Sequence, residues 1–553
     1  MSQAVVALAV VCCLGAGLAP VTDAPGVDGP PVAGAAAENG SSAEPSIVAV
    51  YPDPPAYGDA GEFVTVEFPA GSNVTAHALA DEHAVVSLPG ERNSTVEART
   101  RITFSTAPEQ TEAVTDRRVR AVSDRIRLAN SGEELRLLRA GETVDTAGYH
   151  RAAESEVYDP REGEWRPLGA TDRPVVSAGS GEVEAFTLPD RPDRAVEFLD
   201  SAEERIYLAG YTLSSQRVVE ALVRARERGV AVRVLVEGAP VGGMTASAGA
   251  ALDELTRAGI DVRLLGGDRA RYRYHHAKYA VVDTRALVTT ENWKPSGTGG
   301  RSSRGWGVIT DQRAVVGGLV RTFEADSGWA DAIPWREFDR QPLVDEEQAR
   351  GSYPSNFPAE SFRVKGAELL VAPDNAEGRL REVISSAEES IAIKQVRIGS
   401  EAFPLLREVI AAAERGVEVR ILLAGAWYVE EENRRFVRRL EELASRDGLP
   451  IEVRVADPGG AFEKIHAKGM IVDGERTVVG SLNWNNNSLR ANREVALLIE
   501  SEELAAYFGD VFDADWNGGA DRREVPAGVA LAALFAGTVA VLAASRLRFE
   551  SRD

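Results

Sequence analysis

Residues 194–237 read RAVEFLDSAEERIYLAGYTLSSQRVVEALVRARERGVAVRVLVE, and residues 379–423 read RLREVISSAEESIAIKQVRIGSEAFPLLREVIAAAERGVEVRILL. Each stretch shows a helix pattern, an SAEE turn, an apolar run, an amphipathic helix pattern, an ERGV turn and a second apolar run. The second stretch therefore repeats the first. Because the apolar runs lack polar alternation, they indicate strands of a sheet that helices cover on both faces. We predict a duplicated α/β domain with pseudo-two-fold symmetry and halves at 190–340 and 363–516.

The two halves also end alike, with LVRTFEADSGWA at 319–330 and LAAYFGDVFDADW at 504–516. Before the repeat, residues 46–175 show short alternating runs that Pro, Gly and Asn interrupt. Such runs at regular spacing predict an immunoglobulin-like β-sandwich. Residues 25–45 are rich in Pro, Gly and Ala and are predicted to be a linker.

Both ends of the chain carry apolar segments. Residues 4–20 have the length of a signal-peptide core, and we predict a signal peptide over 1–24. The two cysteines, Cys12 and Cys13, lie inside it, so the mature chain is expected to have no disulfide. Residues 525–545 carry no charge and are followed by Arg546, Arg548 and Arg552. This pattern predicts a single transmembrane helix with a cytoplasmic C-terminus and extracellular catalytic domains at the cell membrane.

The charge of the chain bears on its partners. With 85 acidic against 62 basic residues, the net charge is −23. Such a surface repels a free polyanion unless a local basic cleft opposes it. Only six of the basic residues are lysines. An acidic, arginine-rich and lysine-poor composition is similar to that of proteins from extreme halophiles.

One motif occurs once in each half. The second half holds His466-Ala-Lys468, four residues, Asp473, six residues, and then Gly480-Ser481-Leu482-Asn483-Trp484. The first half holds His276-Ala-Lys278, four residues, Asp283, and then TTENW at 289–293. HAKGMIVD alternates like a strand, so His466 and Lys468 are predicted to point to the same side. The DGER turn would bring the next strand, with Asn483, back beside them.

These residue types suit chemistry on a phosphodiester. An imidazole can attack phosphorus or donate a proton near neutral pH. A lysine on the same face supplies a compact positive charge for phosphate oxygens. A hydroxyl and an Asn amide can add hydrogen bonds where charge grows in the transition state. Two copies supply two histidines, so we predict catalysis without a metal or another cofactor.

The paired His-x-Lys-x4-Asp motifs, with GSLNW after the second, resemble those of the phospholipase D superfamily of HKD phosphodiesterases. The resemblance implies that one histidine becomes a covalent phosphohistidine and the other protonates the leaving alcohol. By analogy His276 would be the nucleophile and His466 the acid, although the roles could be exchanged. The implied roles are catalytic for Lys278, Lys468, Asp283 and Asp473, with the aspartates tuning and orienting the site, and substrate binding for Thr290, Asn292, Ser481 and Asn483.

The two copies differ in ways that affect these roles. Thr289-Thr290 replaces Gly-Ser in the first copy. Glu494 in the second half resembles the family's acid that orients a histidine ring, whereas the first half has Gly305 and Trp306 there. The histidines are therefore expected to be inequivalent, with His276 the less supported. His275 is expected to be a packing or surface residue. The sequence contains no pair of histidines four residues apart on a predicted helix, so it gives no indication of a metal site.

Three functions compete at this stage. The first is a membrane-anchored, outward-facing phosphodiesterase that hydrolyses or transfers a phosphodiester of phospholipids. The second is an HKD-type endonuclease acting on DNA or RNA, and the third is a catalytically inactive surface-binding protein. Residues 46–175, through YPDPPAYGDAGEFVTV and LANSGEELRLLRAGETVDTAGY, resemble the lamin-tail family, which implies a binding or spacer module. The sequence does not assign an oligomeric state.

Overall fold

The computed structural model describes residues 44–518, except for 55–56, 91–93, 113, 116–117, 123–126, 153, 155, 172, 267–270, 330, 339–342, 346–347 and 401. The predicted signal peptide, nearly all of the predicted linker and the predicted transmembrane segment at 525–545 lie outside the described residues. Within the described part, no helix has the length and apolar character needed to cross a membrane.

The N-terminal region consists of two sheets. Its elements are β1 (Ser46–Tyr51), β2 (Phe63–Phe68), β3 (His77–Ala80), β4 (Val85–Ser87), β5 (Thr100–Ser105), α1 (Pro108–Glu112), β6 (Arg118–Ala121), β7 (Gly132–Arg139), β8 (Glu142–His150), β9 (Glu156–Asp159) and β10 (Glu164–Pro167). The strand orders are β10-β9-β1-β2-β5-β6 and β4-β3-β7-β8. Ile47 and Val64 of the first sheet share one buried core with Leu79 and Leu135 of the second. The two sheets thus pack on each other, while the lamin-tail resemblance stays a prediction.

One further strand precedes the first repeat. The elements in this part are β11 (Val176–Ala178), β12 (Gly181–Leu188), α2 (Arg194–Asp200), β13 (Arg205–Gly210), α3 (Gln216–Glu227), β14 (Ala231–Glu237), α4 (Ala246–Arg257), β15 (Asp261–Leu265), β16 (Tyr279–Val282), β17 (Arg285–Thr289), β18 (Ser303–Thr310), α5 (Arg313–Ser327), β19 (Ile333–Pro334) and β20 (Glu360–Val364).

The second repeat has the order of strands and α-helices seen from β12 to α5, with one additional short strand, β25. Its elements are β21 (Gly366–Ala372), α6 (Ala376–Ser385), β22 (Ser390–Gln395), α7 (Pro404–Glu414), β23 (Glu418–Leu423), α8 (Glu430–Asp447), β24 (Ile451–Val455), β25 (Lys464–Ile465), β26 (Gly469–Val472), β27 (Arg476–Gly480), β28 (Glu494–Glu500) and α9 (Glu502–Trp516).

The strand order confirms the duplicated α/β fold. The first sheet contains β15-β14-β13-β16-β17-β18-β12 and the second β24-β23-β22-β26-β27-β28-β21, so equivalent strands occupy equivalent places. Strand β12, which lies between β18 and β20, belongs to the first sheet, which therefore begins at Gly181, ahead of the predicted boundary at 190. Sequence periodicity did not reveal this strand because it precedes the part that visibly repeats.

Helices α5 and α9 lie at the centre of the domain. Leu319 of α5 and Phe508 of α9 belong to one core that also takes in Val281 of the first sheet and Leu497 of the second. Helices α2, α3 and α4 pack on the outer face of the first sheet, and α6, α7 and α8 on that of the second. The shared central core makes the two halves one folded body, since burial of these apolar side chains is the main source of stability.

The strand directions place both motifs at one end of the sheets. In the first half β13, β14 and β15 run parallel, and β16 runs antiparallel to β13 with Ala209 opposite Tyr279. His276, just before Tyr279, therefore lies beyond the carboxyl end of β13. The second half repeats this geometry, with Lys394 opposite Gly469.

Candidate active site

Each histidine motif is fixed by backbone hydrogen bonds to the opposite half. The N–H of His276 donates to the carbonyl of Arg493 at 2.9 Å, and the N–H of Arg493 donates to that of Tyr274 at 3.0 Å. In the other direction, the N–H groups of His466 and Ala467 both donate to the carbonyl of Arg304, at 3.0 and 2.9 Å. The regular strand predicted for HAKGMIVD begins only at Gly469, because the residues before it bind the other sheet.

His276 is oriented by the acid that the sequence placed in the second half. Its Nδ1 lies 2.9 Å from both carboxylate oxygens of Glu494, which is fully buried. The expectation that His276 is the less supported histidine is therefore wrong. A carboxylate only accepts hydrogen bonds, so Nδ1 carries the proton and Nε2 keeps its lone pair.

His466 is accompanied by a carboxylate that the sequence analysis missed. Its Nδ1 lies 3.2 Å from Oε2 of Glu291 in the first half, at an ion-pair distance but outside directed hydrogen-bond geometry. Glu291 is the Glu of TTENW and stands where the second copy has Leu482. A carboxylate in place of a buried leucine was the signal that could have found it.

The two lysines are buried beside the histidines. Nζ of Lys278 donates to the carbonyl of His276, and Nζ of Lys468 donates to that of His466, both at 2.6 Å. Burial lowers the pKa of Lys468 to about 8 and that of Lys278 well below its ordinary value. The positive charge of each lysine lowers the pKa of both histidines. The four groups therefore form one electrostatically coupled site.

Both imidazoles are expected to be neutral near pH 7. Burial, opposed by Glu494 and assisted by Lys278, lowers the pKa of His276 to about 4. Burial and then Lys468 lower the pKa of His466 to about 4, although Glu291 opposes them. A neutral imidazole with a free Nε2 is the form that can attack phosphorus.

The two hydroxyls predicted to bind substrate lie behind the carboxylates. Oγ of Ser481 donates to Glu494 at 2.5 Å, and Oγ1 of Thr290 lies 3.4 Å from Oε1 of Glu291. Both side chains are fully buried. Each hydroxyl also accepts a backbone N–H at 3.0 Å, from Val495 for Ser481 and from Trp306 for Thr290. The hydroxyls thus contact the acids beside the histidines, and their substrate-binding role stays a prediction.

The two asparagines differ from the hydroxyls in their surroundings. Asn292 and Asn483 are each half-buried. Oδ1 of Asn292 is buried and has no hydrogen-bond partner among the described residues, and phosphate binding by the two amides stays a prediction. The following Trp293 and Trp484 are core residues rather than pocket walls, since both are buried and Nε1 of Trp293 donates to the carbonyl of Ala209.

Asp283 and Asp473 are structural residues, which corrects their predicted catalytic role. The carboxylate of Asp283 accepts hydrogen bonds from the N–H groups of Glu203, Glu204 and Arg205 at 2.8–2.9 Å. Asp473 accepts from the equivalent residues 388–390 at 2.8–3.3 Å. These are the SAEE turns, and the aspartates occupy the hairpin ends remote from the histidines. Burial opposes the effect, but the N–H donors keep the pKa of both aspartates below its ordinary value.

A second buried acid supports the first motif from the other side. Glu237, at the end of β14, accepts the backbone N–H of His275 at 2.7 Å and that of Ala239 at 2.7 Å. Both Glu237 and His275 are buried, and His275 is therefore a packing residue. The second repeat has Ala424 and Ile465 at the equivalent positions.

Two buried ion pairs join the halves next to the site. Nε of Arg493 lies 3.0 Å from Asp326 of α5, and Nε of Arg304 lies 3.0 Å from Asp515 of α9. Each arginine comes from one half and each aspartate from the other. The similar endings of the two halves, EADSGW and DADW, contained these aspartates. The ion pairs fix the strands that carry Glu494 and Gly305.

Comparison with known proteins agrees with this geometry. The family profile described as "Cardiolipin synthase, PLD-like domain" matches residues 195–327 and 380–516. A probable phospholipase D of Caenorhabditis elegans is 25% identical over 349 residues, which cover 55% of this chain and 59% of that protein. Cardiolipin synthase A of Pseudomonas syringae is 27% identical over 310 residues, covering 54% and 59%. The chain thus spans about three fifths of the length of these relatives.

Among solved structures, phosphatidylserine synthase of Haemophilus influenzae aligns with a TM-score of 0.46 at 16% identity, over 59% of this chain and 84% of that one. The phospholipase D family member Nuc of Salmonella typhimurium aligns with a TM-score of 0.25 at 19% identity, over 28% of this chain and 97% of that one. The profile match falls on both repeats and includes both histidine motifs. The duplicated domain of this chain belongs to the phospholipase D superfamily.

Proposed function

We propose that this protein is a phosphodiesterase that hydrolyses or transfers a phosphodiester of phospholipids through a covalent phosphohistidine. One observation carries the proposal: two neutral imidazoles share a site, and each has its Nδ1 beside a buried carboxylate of the opposite half. This arrangement leaves two Nε2 atoms for chemistry, as a two-step displacement requires.

In the first step, Nε2 of one histidine attacks phosphorus, and the bond from phosphorus to the leaving oxygen breaks. The second histidine, in its protonated form, gives its proton to that oxygen, and the alcohol leaves. The bound phosphodiester anion brings negative charge to both rings, which favours the protonated form of the second histidine.

In the second step, the second histidine takes a proton from water or from an acceptor alcohol. The resulting oxygen nucleophile attacks phosphorus, and the bond between phosphorus and histidine breaks. Water gives hydrolysis and an alcohol gives transfer, so both outcomes use the same residues. Lys278 and Lys468 supply the positive charge that phosphate oxygens need, which is why we expect activity without a metal.

The unequal support of the histidines favours His276 as the nucleophile. Its ring is held by hydrogen bonds to both oxygens of Glu494, which also accepts from Ser481 and Asn492. The His466 side chain is 20% exposed, against 10% for His276. A fixed ring suits attack along one line, whereas a ring in contact with water suits proton exchange.

The substrate class is supported by the relatives, which are named as a phospholipase D and a cardiolipin synthase. The net charge of −23 disfavours a nucleic acid. The predicted apolar segment at 525–545 would keep the catalytic domain at a membrane surface and facing outward, as part of the same proposal.

The test uses an activated diester and vesicles in parallel. With bis(p-nitrophenyl) phosphate the leaving group needs no proton, so His466→Asn should still release one equivalent of nitrophenol in a burst, while His276→Asn should release none. Both variants should fail to turn over phospholipid vesicles. A burst from His276→Asn but not from His466→Asn would reverse the two roles.

Two further arms address the competing functions. Nicking of DNA by the wild type in EDTA, without phospholipid turnover, would establish the endonuclease instead. No turnover of diester, lipid or DNA by the wild type would establish the inactive surface-binding protein.

A further inference from the structure

Two equivalent loops border the site. The loop 238–245 follows β14, and the loop 424–429 follows β23, at the carboxyl ends where both motifs lie. We call them the mouth loops. Across the described ranges, the exposed large hydrophobic residues are Val85, Val241, Leu343, Val344, Trp427 and Tyr428. Val241, Trp427 and Tyr428 lie on the mouth loops. The N–H of Val344 donates a hydrogen bond to the carbonyl of Met244, which is part of the loop 238–245.

Contacts connect both loops to the histidines. The N–H of Val241 donates to the hydroxyl of Tyr211 at 2.6 Å, and the ring of Tyr211 lies 4.7 Å from that of His276. On the other side, Nζ of Lys464 lies 5.6 Å from the ring centre of Tyr428, and Lys464 precedes His466 by two residues. Desolvation of its hydroxyl and then the charge of Glu291 raise the pKa of Tyr428.

The second mouth loop holds Trp427 outward on a fixed turn. Ala426 and Val429 are buried in the central core, and the N–H of Val429 donates to the carbonyl of Ala426 at 2.9 Å. Nδ2 of Asn433 donates to the carbonyl of Ala424 at 2.7 Å. Trp427 is nevertheless 87% exposed. The turn is anchored by packing, and the exposure of Trp427 is therefore built into it.

We propose that Trp427 and Tyr428, with Lys464 beside them, insert into a zwitterionic phospholipid surface and bring the catalytic site onto it. Tryptophan and tyrosine favour the boundary between headgroups and acyl chains, and an exposed apolar patch beside a site marks an interaction surface. Lys464, absent from the first motif, supplies the positive charge that a lipid phosphate attracts.

Charge selects the kind of surface. Glu430, Glu431 and Glu432 directly follow the loop in the first turn of α8, and the whole chain carries −23. These charges oppose a strongly anionic membrane and a nucleic acid alike, whereas a zwitterionic headgroup layer has no net charge to repel them. This inference rests on the proposed phospholipid substrate and names the surface from which the substrate is taken.

The experiment uses the full chain and phosphatidylcholine vesicles with bromine-labelled acyl chains. The difference in fluorescence between the wild type and Trp427→Phe isolates the emission of Trp427. We expect this emission to move to shorter wavelength and to be quenched by the vesicles. Trp427→Ala should lower vesicle turnover about tenfold, because one buried aromatic side chain is lost from the interface, and should leave turnover of bis(p-nitrophenyl) phosphate unchanged.

Val85→Ala is the matched control, since Val85 is 61% exposed on β4 of the N-terminal sheets; it should change neither activity. An unaltered Trp427 emission with vesicles would overturn the inference, as would an equal loss of both activities in Trp427→Ala. Quenching of Trp427 by a single-stranded oligonucleotide but not by vesicles would replace the lipid surface with a nucleic acid. If vesicles quench Trp427 while the wild type turns over neither substrate, the docking surface stands and the proposed activity fails.

Discussion

The side chain of Glu291 fills the space in front of Gly305. A Cβ atom on Gly305 would lie 2.3 Å from Cγ and 2.5 Å from Oε1 of Glu291. Gly305 is the equivalent of Glu494 in the other repeat, as Arg304 is of Arg493. The first half therefore carries the acid that accompanies His466 on the segment after β17 and not on β18, and the lack of a side chain at Gly305 leaves room for it.

This relationship predicts that the acid can be moved back. Glu291→Leu, which copies Leu482, should lower turnover of an unactivated diester by at least about 100-fold, because the ring of His466 loses the carboxylate that supports its protonated form. Gly305→Glu alone should also be damaging, since the two side chains would overlap. The double variant should recover part of the activity in steady-state assays. If it is no better than Glu291→Leu, the exchange of positions is not functional.

The pH dependence should follow the groups of the site. With bis(p-nitrophenyl) phosphate, kcat/KM should fall as the pH drops through about 4, since the pKa of His276 is lowered to that value and its protonated ring cannot attack. It should fall again as the pH rises through about 8, where Lys468 loses its positive charge. A plateau that extends well above pH 9, near the ordinary pKa of lysine, would contradict the second limb.

The two motif aspartates should affect stability rather than chemistry. Asp283→Ala should lower the free energy of unfolding by about 1–3 kcal/mol, because three backbone N–H groups of the SAEE turn lose a charged acceptor, with kcat close to that of the wild type. The folded-state pKa of Asp283 is lowered, so its stabilisation is present above the unfolded pKa and is lost as the pH falls through the folded value. Urea unfolding at neutral and acidic pH measures both effects. Asp473→Ala should behave alike, and a kcat loss at full stability would restore the catalytic role.

The ion pairs between the halves should be essential for stability. Asp326→Asn should cost about 3–5 kcal/mol, because Arg493 would be left buried with its charge only partly compensated. Glu431→Gln in the exposed pair with Arg435 is the control and should leave the unfolding midpoint close to that of the wild type. Equal midpoints for the two variants in denaturant titrations would show that the buried pair is dispensable.

The sequence by itself determined the repeat, the α/β class and the positions of both histidines and both lysines. Periodicity and spacing are local properties, and a duplicated chain displays them twice, so equivalent residues can be read by comparing the copies. The same comparison misjudged His276, because it searched for the supporting acid within the same half. Glu494 and His276 are separated by 218 residues and meet only when the two sheets face each other.

Only the tertiary structure decided which carboxylate lies beside which histidine. It also decided which polar residues of the motif lie away from the site. Glu291 does not align with Glu494 in the repeat, and its side chain occupies the space in front of Gly305, which is the residue that does align. Asp283 and Asp473 lie in the motif by spacing, but their hairpins carry them to the SAEE turns. Spacing along a strand fixes the side on which a residue points, whereas its partner depends on how separate strands pack.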